Sequence, residues 1–345
     1  RFCKFSTFMH GGFDGVSPFD SDTQKLTNTA VVEEMDNTNR GTALGPTVRS
    51  YLKAIEIMQN VSDVDIMLLA IPGIRDPIVT DTALLAVKDR FDAMYIMDVE
   101  EYDTLNLLLS SSNQISSVAN TVTAFKSRAL DSSFGAAYYP DVVIFEETTG
   151  QNITVPPSTA VLGAFALNDA LAHPWFAPAG FTRGALSTTL EAKVNLSKSN
   201  MDSLYDADIN PIVAFPGNAP ADGLGGVVVW GQKTLQSAQS ALDRVNVRRL
   251  LIDIRRQVRE ISNTFIFEPN RAATLARFQN TLNPRLQKIQ SQFGVKKYKV
   301  KVDTSTTSQA DVENNTVRGV IILQPVKTNE FVSLDFVVTN QGQNS

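Results

Sequence analysis

Apolar positions alternate between helical and strand spacings through the first half of the chain. Val48, Leu52 and Ile55 recur three or four residues apart after Gly45-Pro46, which predicts a helix that begins at the proline. The predicted elements are, in order, a helix from 46, a strand over 65–71, a helix over 77–91, a strand over 93–99, a helix around 115–125, strands over 134–139 and 142–145, and a helix over 158–172. This alternation favours a largely parallel or mixed sheet covered by helices.

The pattern changes after a stretch punctuated by Pro and Gly between residues 174 and 226, which we interpret as a domain junction. The elements predicted beyond it are a strand over 227–230, a helix over 242–262, a strand over 264–267, a helix over 271–293 with Asn270 as its N-cap, and strands over 297–302, 317–323 and 331–338. The predicted fold class is therefore α/β and α+β, with a mixed-sheet domain followed by a smaller α+β domain that contains two long helices and terminal strands.

Three regions follow from this organisation. Residues 1–40 are predicted to be an N-terminal segment that packs with or leads into the first domain, residues 41–222 to be the mixed α/β domain, and residues 223–345 to be the smaller α+β domain. Because residue 1 is Arg and no signal-peptide pattern follows it, the numbering is expected to start inside a longer chain.

Composition argues against several classes of function. Of the 345 residues, 43% are hydrophobic and only 19% charged, below the roughly 25% typical of soluble domains, so the surface depends on uncharged polar side chains suited to protein contacts. One Cys and two His predict neither a disulfide framework nor a zinc site. No stretch approaches the roughly 18 apolar residues of a membrane span, so none is expected.

Charge is distributed unequally along the chain. The net charge of -5 argues against general nucleic-acid binding. Residues 1–225 contain 14 Lys and Arg against 27 Asp and Glu, whereas residues 226–345 contain 17 against 9. The two parts of the chain therefore carry charge of opposite sign.

One segment resembles a phosphate-binding loop. Residues 226–234 contain Gly, four residues and a second Gly, but Gln232 separates that Gly from Lys233 and Thr234. Three consecutive valines in the segment favour extended backbone, whereas a phosphate-binding loop curls its N–H groups around the anion. A strand and turn are therefore the favoured interpretation, and a nucleotide- or phosphate-ester-processing α/β enzyme is the alternative from another functional class.

Acid–base candidates lie at predicted strand ends and in one aromatic turn. They are Asp63, Asp65, Asp98, Glu100, Glu101 and His173. Nothing in the sequence pairs the carboxylates with a nucleophile, and no Gly-x-Ser-x-Gly sequence supplies a serine partner for the histidine. We therefore expect solvated turn residues and a hydrogen-bonded histidine, and no enzymatic activity.

The helix over 242–262 carries a stripe of arginines. At about 100° per residue, Val247, Leu250, Ile254, Val258 and Ile261 share one arc that predicts the buried face. A separate narrow stripe is formed by Arg244, Arg248, Arg255 and Arg259. The acidic residues of the helix lie on its far side, so the stripe is predicted to meet an acidic partner outside the helix. The alternative is an ordinary solvated face.

The strand predicted near the C-terminus has one apolar face. It comprises Phe331, Val332, Ser333, Leu334, Asp335, Phe336, Val337 and Val338, and every second residue from Val332 is apolar. Such a strand completes its own sheet or is added to the sheet of a neighbouring subunit.

Several short sequences together resemble the contractile tail sheath family of bacteriophages. They are GGFDG (11–15), YPDVVI (139–144), VPPS (155–158), APAG (177–180), INPI (209–212), WGQKTL (230–235), VNVRR (245–249), FEPN (267–270) and NEF (329–331). They occur in the family's order. Gln232 and Lys233 depart from the family's usual Gly-Ala-Arg-Thr, and His173-Pro174 replaces Gly and a small apolar residue. These departures suggest a divergent branch such as the giant phiKZ-like phages.

The resemblance implies that the chain is a truncated or protease-resistant fragment of a structural virion protein. Copies of such a protein polymerise as hexameric rings or a six-start helix around a tail tube. The sheath then contracts and drives the tube through the host envelope for genome ejection. Residues 41–222 would form the outer domain and residues 223–345 the inner polymerisation domain. The arginine stripe would face the tube, and the strand over 331–338 would pair with an adjacent subunit.

Implied partners are further copies of the chain, the tube protein, and baseplate and tail terminator proteins, without nucleic acid, membrane span, metal or cofactor. The implied location is the virion tail, assembled in the host bacterial cytoplasm. The alternative within this class is a sheath subunit of a related contractile secretion or bacteriocin system.

Overall fold

The structure is a computed structural model that describes residues 26–35, 45–109, 115–215, 226–269, 271–303, 305–314, 316–328 and 330. The chain divides into two compact units, Arg1–Asn263 (unit 1) and Thr264–Ser345 (unit 2). Most of the predicted N-terminal segment, residues 1–40, lies outside the described residues.

Helices and strands alternate through unit 1 and continue into unit 2. The helices are α1 Asn28–Met35, α2 Pro46–Gln59, α3 Pro77–Arg90, α4 Val118–Ser127, α5 Pro157–Leu171, α6 Gly180–Arg183, α7 Lys198–Tyr205, α8 Val245–Asn263, α9 Ala272–Ser291 and α10 Gln309–Glu313. The strands are β1 Leu68–Ala70, β2 Met94–Asp98, β3 Gly135–Tyr139, β4 Val142–Glu146, β5 Gln151–Val155, β6 Thr189–Ala192, β7 Ile209–Ala214, β8 Val227–Val229, β9 Val295–Lys301 and β10 Val320–Pro325.

Proline and short polar residues set several helix starts. Pro46 and Pro77 each occupy the first turn of their helix, where the missing N–H is not needed. The Asp76 side chain accepts a hydrogen bond from Ile78 N at 2.9 Å and so caps α3. These local signals explain why the predicted helices begin where the structure has them.

A five-stranded mixed sheet organises unit 1. Its strand order is β1-β2-β3-β7-β8, in which β1, β2, β3 and β7 are parallel and β8 is antiparallel to β7. Side chains of β2 alternate between two cores, with Tyr95 and Met97 on one face and Met94 and Ile96 on the other. The first core includes residues of α2, α3, α4 and α7, and the second includes residues of α5 and α8. The predicted mixed sheet covered by helices is confirmed.

A smaller antiparallel sheet with the order β5-β4-β6 also belongs to unit 1. β4 follows β3 directly after Pro140 and Asp141, so one chain segment passes from the first sheet into the second. Val142, at the start of β4, is fully buried in the second core.

Unit 2 is a helix packed on a two-stranded sheet. β9 and β10 pair antiparallel, and Val300 lies opposite Ile321. Gln279 of α9 donates a hydrogen bond to Val300 O at 3.1 Å, and Tyr298 donates one to Asn283 O at 3.4 Å. α9 therefore packs along one face of this sheet.

Unit 1 ends at Asn263, whereas the sequence predicts a domain boundary before residue 223. β8 pairs with β7, and Val245 and Ile252 of α8 belong to the second core, so these residues pack with the first sheet. The division into outer and inner domains within an assembly stays a prediction.

Most predicted elements are confirmed with small shifts at their ends, but one predicted strand is wrong. Residues 264–267 form turns rather than a strand, and the φ of Phe267 is +69°, because a short apolar run does not by itself distinguish strand from turn. The Pro- and Gly-rich stretch from 174 contains α6, β6, α7 and β7, and the domain junction predicted within it stays a prediction. Its remaining residues, 216–225, lie outside the described residues, as does the predicted N-cap Asn270.

Candidate functional site

The long helix α8 presents its predicted apolar face to the protein interior. Val247, Leu250, Ile254 and Ile261 are buried, and Val258 is half-buried. The helix therefore has the rotational orientation that the spacing of its apolar residues predicts.

Arg248, in the predicted arginine stripe, is buried rather than exposed. Its guanidinium lies over the Phe134 ring, 4.0 Å from the centroid, and donates a hydrogen bond to Ser133 Oγ. Burial lowers the pKa of Arg248 to about 10. The side chain is therefore a stacked core residue of unit 1 and does not present a free charge.

Arg255 extends the same stack on an exposed part of α8. Its guanidinium lies 5.0 Å from the centroid of the Phe91 ring, and Phe91 meets Phe134 edge-on at 5.3 Å. Two aromatic rings from outside the helix thus lie between Arg248 and Arg255. Aromatic faces attract guanidinium groups, so these contacts fix where the arginines point.

Arg259 and Arg244, at the two ends of the stripe, have acidic neighbours. Arg259 pairs with Asp92 at 2.7 Å, and Asp92 also accepts from Arg90 Nε at 2.9 Å. Arg244 pairs with Asp243 at 3.4 Å and donates to the Tyr205 hydroxyl at 3.1 Å.

The acids that meet the stripe within the described residues, Asp92 and Asp243, lie outside α8 and belong to this chain. Helical spacing in a sequence reveals only the acids on the same helix. It could not reveal Asp92, because that residue lies in the loop after α3. Exposed charge remains at Arg255 and at Arg259, which is 38% exposed. Whether these four arginines face a tube stays a prediction.

Two other arginines of α8 hold acidic residues that the sequence did not assign to them. Arg249 pairs with Asp169 of α5 at 2.5 Å and lies over the Phe165 ring, and Arg256 pairs with Asp65 at 2.5 Å. These pairs join elements far apart in sequence, so no local pattern could have revealed them.

Asn210 joins two of the sequences on which the predicted resemblance depends, and Val245 connects a third to them. Its amide donates to Lys233 O at 2.8 Å and to Ala137 O at 3.1 Å, and its oxygen accepts from Lys233 N at 2.6 Å. A Cβ on Gly231 would lie 2.8 Å from the Asn210 oxygen, so glycine is required for this close approach. Val245 N then donates to Gln232 O at 2.8 Å. INPI, WGQKTL and VNVRR therefore form one packed structure.

The segment that resembles a phosphate-binding loop is extended. β8 occupies its first half, and Lys233 directs its ammonium to Tyr205 O at 2.7 Å and Asp208 at 3.0 Å. The Thr234 hydroxyl donates to Leu242 O at 2.9 Å. The side chains that would hold a nucleotide are thus engaged by the protein, and the favoured strand interpretation is confirmed.

The candidate acids do not converge on a catalytic site. Asp98 ends β2 and accepts three hydrogen bonds, from Gly73 N at 2.9 Å and from Ser158 N and Oγ at 2.8 Å. Burial raises the pKa of Asp98, against the effect of these donors and of Arg75. The carboxylate ties α5 to the carboxyl end of the sheet.

Glu101 belongs to a second buried group of charges. Lys193 lies 3.4 Å from Glu101 and 3.8 Å from Asp141, and Arg75 pairs with Asp141. Burial and the neighbouring Asp141 raise the pKa of Glu101. These side chains link the two sheets of unit 1 and are arranged as structural ion pairs.

The other candidates differ in their surroundings. Asp63 accepts from the Asn60 amide, Asp65 pairs with Arg256, and Glu100 accepts from the Tyr102 hydroxyl at 3.2 Å. The His173 ring stacks on Trp175 with centroids 4.6 Å apart. The fold thus brings Glu100 near Arg75, which also interacts with Asp98 and Glu101, whereas Asp63, Asp65 and His173 have other neighbours.

No group of three His, Cys, Asp or Glu side chains able to hold a metal occurs among the described residues. Within the same residues, no helix has both the length and the apolar character needed to cross a bilayer. The predicted terminal strand, Phe331 to Val338, lies outside them.

Comparison with known proteins supplies the decisive observation. No protein-family profile matches the chain. Over 196 residues it is 31% identical to the tail sheath protein of Vibrio phage KVP40, covering 57% of this chain and 28% of that protein. The tail sheath protein of Enterobacteria phage T4 is 28% identical over 198 residues, covering 57% of this chain and 29% of the relative. The predicted resemblance to contractile tail sheath proteins is confirmed.

The fold agrees with that of a sheath protein. The sheath complex of an extracellular contractile injection system (PVC) in its contracted state superimposes with a TM-score of 0.65 at 22% identity, covering 82% of this chain and 74% of that one. The chain spans less than a third of the length of the curated tail sheath proteins that it matches. Its assignment to a giant phiKZ-like branch stays a prediction.

Proposed function

We propose that the chain is part of a structural subunit that polymerises into a contractile tail sheath. The observation that carries this proposal is the sequence similarity to phage tail sheath proteins across more than half of the chain, with a shared fold. In this function the sheath surrounds a tail tube and contracts to drive it through the host envelope.

The proposed partners are further copies of the chain, a tail tube protein, and baseplate and tail terminator proteins. The proposed location is the virion tail, after assembly in the host bacterial cytoplasm. The proposed role is structural, which is consistent with the engaged Lys233 and the hydrogen-bonded and ion-paired acids of unit 1.

The two-stranded sheet of unit 2 supports a proposed connection between subunits. Within the described residues, β9 and β10 pair only with each other, so each has an edge with unpaired backbone groups. β10 ends at Pro325, a few residues before the predicted strand over 331–338. Strand addition from a neighbouring copy would extend this sheet.

The exposed part of α8 is the proposed tube-facing surface. Arg255 is exposed and contacts Phe91, whereas Arg259 compensates the buried Asp92. Replacing Arg259 by Glu would place two carboxylates together beside Arg90 and would endanger folding. Arg255→Glu is therefore the cleaner probe of the tube surface.

Negative-stain electron microscopy of the full-length protein, alone and mixed with its tube protein, tests the function. We expect tubular polymers from the wild type, and several-fold less sheath on tubes for Arg255→Glu, because a charge that attracts the tube is reversed. Lys126→Glu is the matched control, since Lys126 is exposed on α4 and makes no ion pair within the described residues.

The outcomes separate the parts of the proposal. Absence of polymers from the folded full-length protein would reject the sheath function. Equal decoration of tubes by Arg255→Glu and the control would reject only the tube-facing assignment. Normal polymerisation after deletion of residues 331–345 would reject strand addition.

A sheath of a contractile secretion or bacteriocin system is the second candidate. It is supported by the fold shared with an injection-system sheath, but the closer sequence similarity is to phage proteins. Immunogold labelling of phage particles with an antibody against the chain would distinguish a virion tail from a cell-borne injection system.

A further inference from the structure

The sheet of unit 2 has one covered face and one open face. Inward residues of β9 and β10 pair across the sheet, as Val300 does with Ile321 and Tyr298 with Leu323. Val300 is 7% exposed, and Leu282 of α9 is fully buried in the same unit. The alternate residues of both strands point away from α9, since successive side chains of a strand point to opposite faces.

Those alternate residues form a surface that we call the lysine face. It comprises Lys297, Lys299 and Lys301 of β9 and Val320, Ile322 and Gln324 of β10. The register places each lysine opposite one β10 residue, with Lys301 opposite Val320 and Lys299 opposite Ile322. Val320 is 48% exposed and Ile322 59% exposed. The face therefore combines three cations with exposed β-branched side chains.

Among the described residues, Asp303 is the acid that interacts with this face, through the charge of Lys301. The three lysines are exposed and form no ion pair within that part of the chain. Residues two apart on a strand are separated by roughly 7 Å, so three like charges lie within about 13 Å. Mutual repulsion of these charges disfavours the isolated unit, and an external anionic surface would relieve it.

Protection of an exposed sheet against aggregation is the ordinary role of such lysines. That role requires charge of either sign, because any charged side chain disfavours pairing with another sheet. A docking role requires positive charge specifically. Reversing the sign of the charge therefore separates the two explanations.

The two units provide complementary charge. Residues 1–263 contain 21 Lys and Arg against 30 Asp and Glu, whereas residues 264–345 contain 10 against 6. Exposed acids of unit 1 that form no ion pair within the described residues include Asp131, Glu147, Glu191, Asp202 and Asp206. Unit 1 of a second copy is thus an anionic surface available at the high local concentration of a polymer.

We infer that the lysine face docks on the acidic surface of unit 1 of a second copy. Attraction between opposite charges aligns the copies, and Val320 and Ile322 lose contact with water at the interface. The inference rests on the proposed sheath function for its biological setting, but it concerns an association that is measurable without tube formation. It is distinct from strand addition, which uses the sheet edges.

The experiment measures binding between copies of the full-length protein by sedimentation velocity over a range of concentrations. The test variant is Lys297→Glu with Lys299→Glu and Lys301→Glu. We expect its copy–copy dissociation constant to rise at least tenfold, and the wild-type constant to rise with salt because exposed charges are screened. The triple Gln variant should weaken binding less and should lose most of the salt dependence.

The matched control removes the same charge from unit 2 at another place. The control variant combines Arg271→Glu, Arg285→Glu and Lys288→Glu. All three side chains are exposed and lie at or on α9. The dissociation constant of this variant should stay within about twofold of the wild type, since these residues lie off the lysine face. Circular dichroism and thermal unfolding of both triple variants establish that unit 2 remains folded.

If the folded Lys-to-Glu variant binds a second copy as tightly as the wild type does, the inference is overturned. Protection against aggregation would then be the remaining explanation for the lysines. Equal losses in the test and control variants would also overturn it, since net charge alone would then explain the effect. Unchanged copy–copy affinity with lost binding to tube protein would assign the face to the tube instead. If the wild type and the test variant form sheath polymers equally well, the docking of the lysine face is rejected while the proposed sheath function stands.

Discussion

Units 1 and 2 cover their sheets in different ways. The five-stranded sheet of unit 1 has cores on both faces, one with helices that include α3 and α4 and one with α5 and α8. The two-stranded sheet of unit 2 has α9 on one face and leaves Val320 and Ile322 exposed on the other. Two-stranded sheets are marginal in isolation. The difference indicates that unit 1 is stabilised by its own packing, whereas unit 2 keeps surface available for association.

Charge sharpens the same contrast. The arginines of α8 in unit 1 find aromatic and acidic contacts, as Arg248 does with Phe134 and Arg259 with Asp92. The lysines of β9 form no ion pair within the part of unit 2 that the structure describes. The number of Lys and Arg residues in a segment therefore does not show how much positive charge its surface carries. That depends on which acidic and aromatic side chains the fold places beside them.

The largest effect on stability is expected from a substitution that creates a cavity in the core of unit 1. Phe165 is fully buried, meets Tyr138 edge-on at 6.4 Å and lies under Arg249. Phe165→Ala should lower the free energy of unfolding by about 3–5 kcal/mol, through lost burial and a residual cavity. Urea unfolding followed by Trp fluorescence measures it, since both tryptophans, Trp175 and Trp230, lie in unit 1.

Phe145→Ala is the control for this prediction. Phe145 lies on β4 and is 51% exposed, so its loss should change stability by about 1 kcal/mol or less. Equal destabilisation by the two variants would contradict the view that unit 1 is stabilised chiefly by its covered sheet.

A smaller and more local effect is expected in unit 2. Leu286 of α9 is 1% exposed, and Leu286→Ala should cost about 2–4 kcal/mol. Because the units have separate cores, we expect far-UV circular dichroism to lose helix at a lower temperature while Trp fluorescence of unit 1 keeps its midpoint.

Ile322→Ala provides the comparison on the open face of the same sheet. Ile322 is 59% exposed, so the monomer should change by roughly 0.5 kcal/mol or less. A shift of the Trp midpoint together with the helix signal in Leu286→Ala would show instead that both units unfold as one.

The smallest effect is expected from pH, and its sign differs between the units. In unit 1, burial raises the pKa of Asp98, and burial with Asp141 raises the pKa of Glu101. Ionisation of these groups opposes folding, and this penalty is relieved as pH falls through the raised pKa values. In unit 2, hydrogen bonds from Ser305 lower the pKa of Asp303. The stabilisation of unit 2 by these hydrogen bonds is fully present above the ordinary carboxyl range. It is lost as the pH falls through that range toward the lowered pKa of Asp303.

Amide hydrogen exchange, corrected for intrinsic rates, measures this contrast. Between pH 7 and the ordinary carboxyl range near about 4, protection in unit 1 should hold or increase. Protection around Asp303 should fall only within or below that range. Earlier loss of protection in unit 1 would show that its buried carboxylates are stabilised in their ionised form.

The fold of unit 1 was largely predictable because its signals are local. Helical spacing in α2 and α8, first-turn prolines and the apolar runs of β2 and β3 all predict the elements observed. β7 was missed because Pro211 sits inside it, although its carbonyl accepts from Trp230 N at 2.8 Å. A proline-rich pattern resembles a linker until the neighbouring strands are placed.

The candidate site was predictable only in part. Residue spacing placed four arginines on one side of a helix, but Arg244 precedes α8 and has extended backbone. Asp92 and Phe134 meet Arg259 and Arg248 through the tertiary fold. The role of Asn210 was likewise hidden, because its partners are backbone atoms of a segment far along the chain. Sequence patterns indicate which face of a helix or strand a side chain occupies. Its contacts depend on the tertiary fold, which places distant segments beside it.

The crevice at the carboxyl end of a parallel strand often receives a ligand in α/β proteins. Here Ser158 and Gly73 already fill that position beside Asp98. A cavity of about 160 Å³ near Glu100 is well below the roughly 300 Å³ of a typical small-molecule pocket. This cavity in the described part of unit 1 is therefore too small to enclose a typical drug-like compound. An agent aimed at this end of the sheet would have to bind a broad surface, as antibodies and designed miniproteins do.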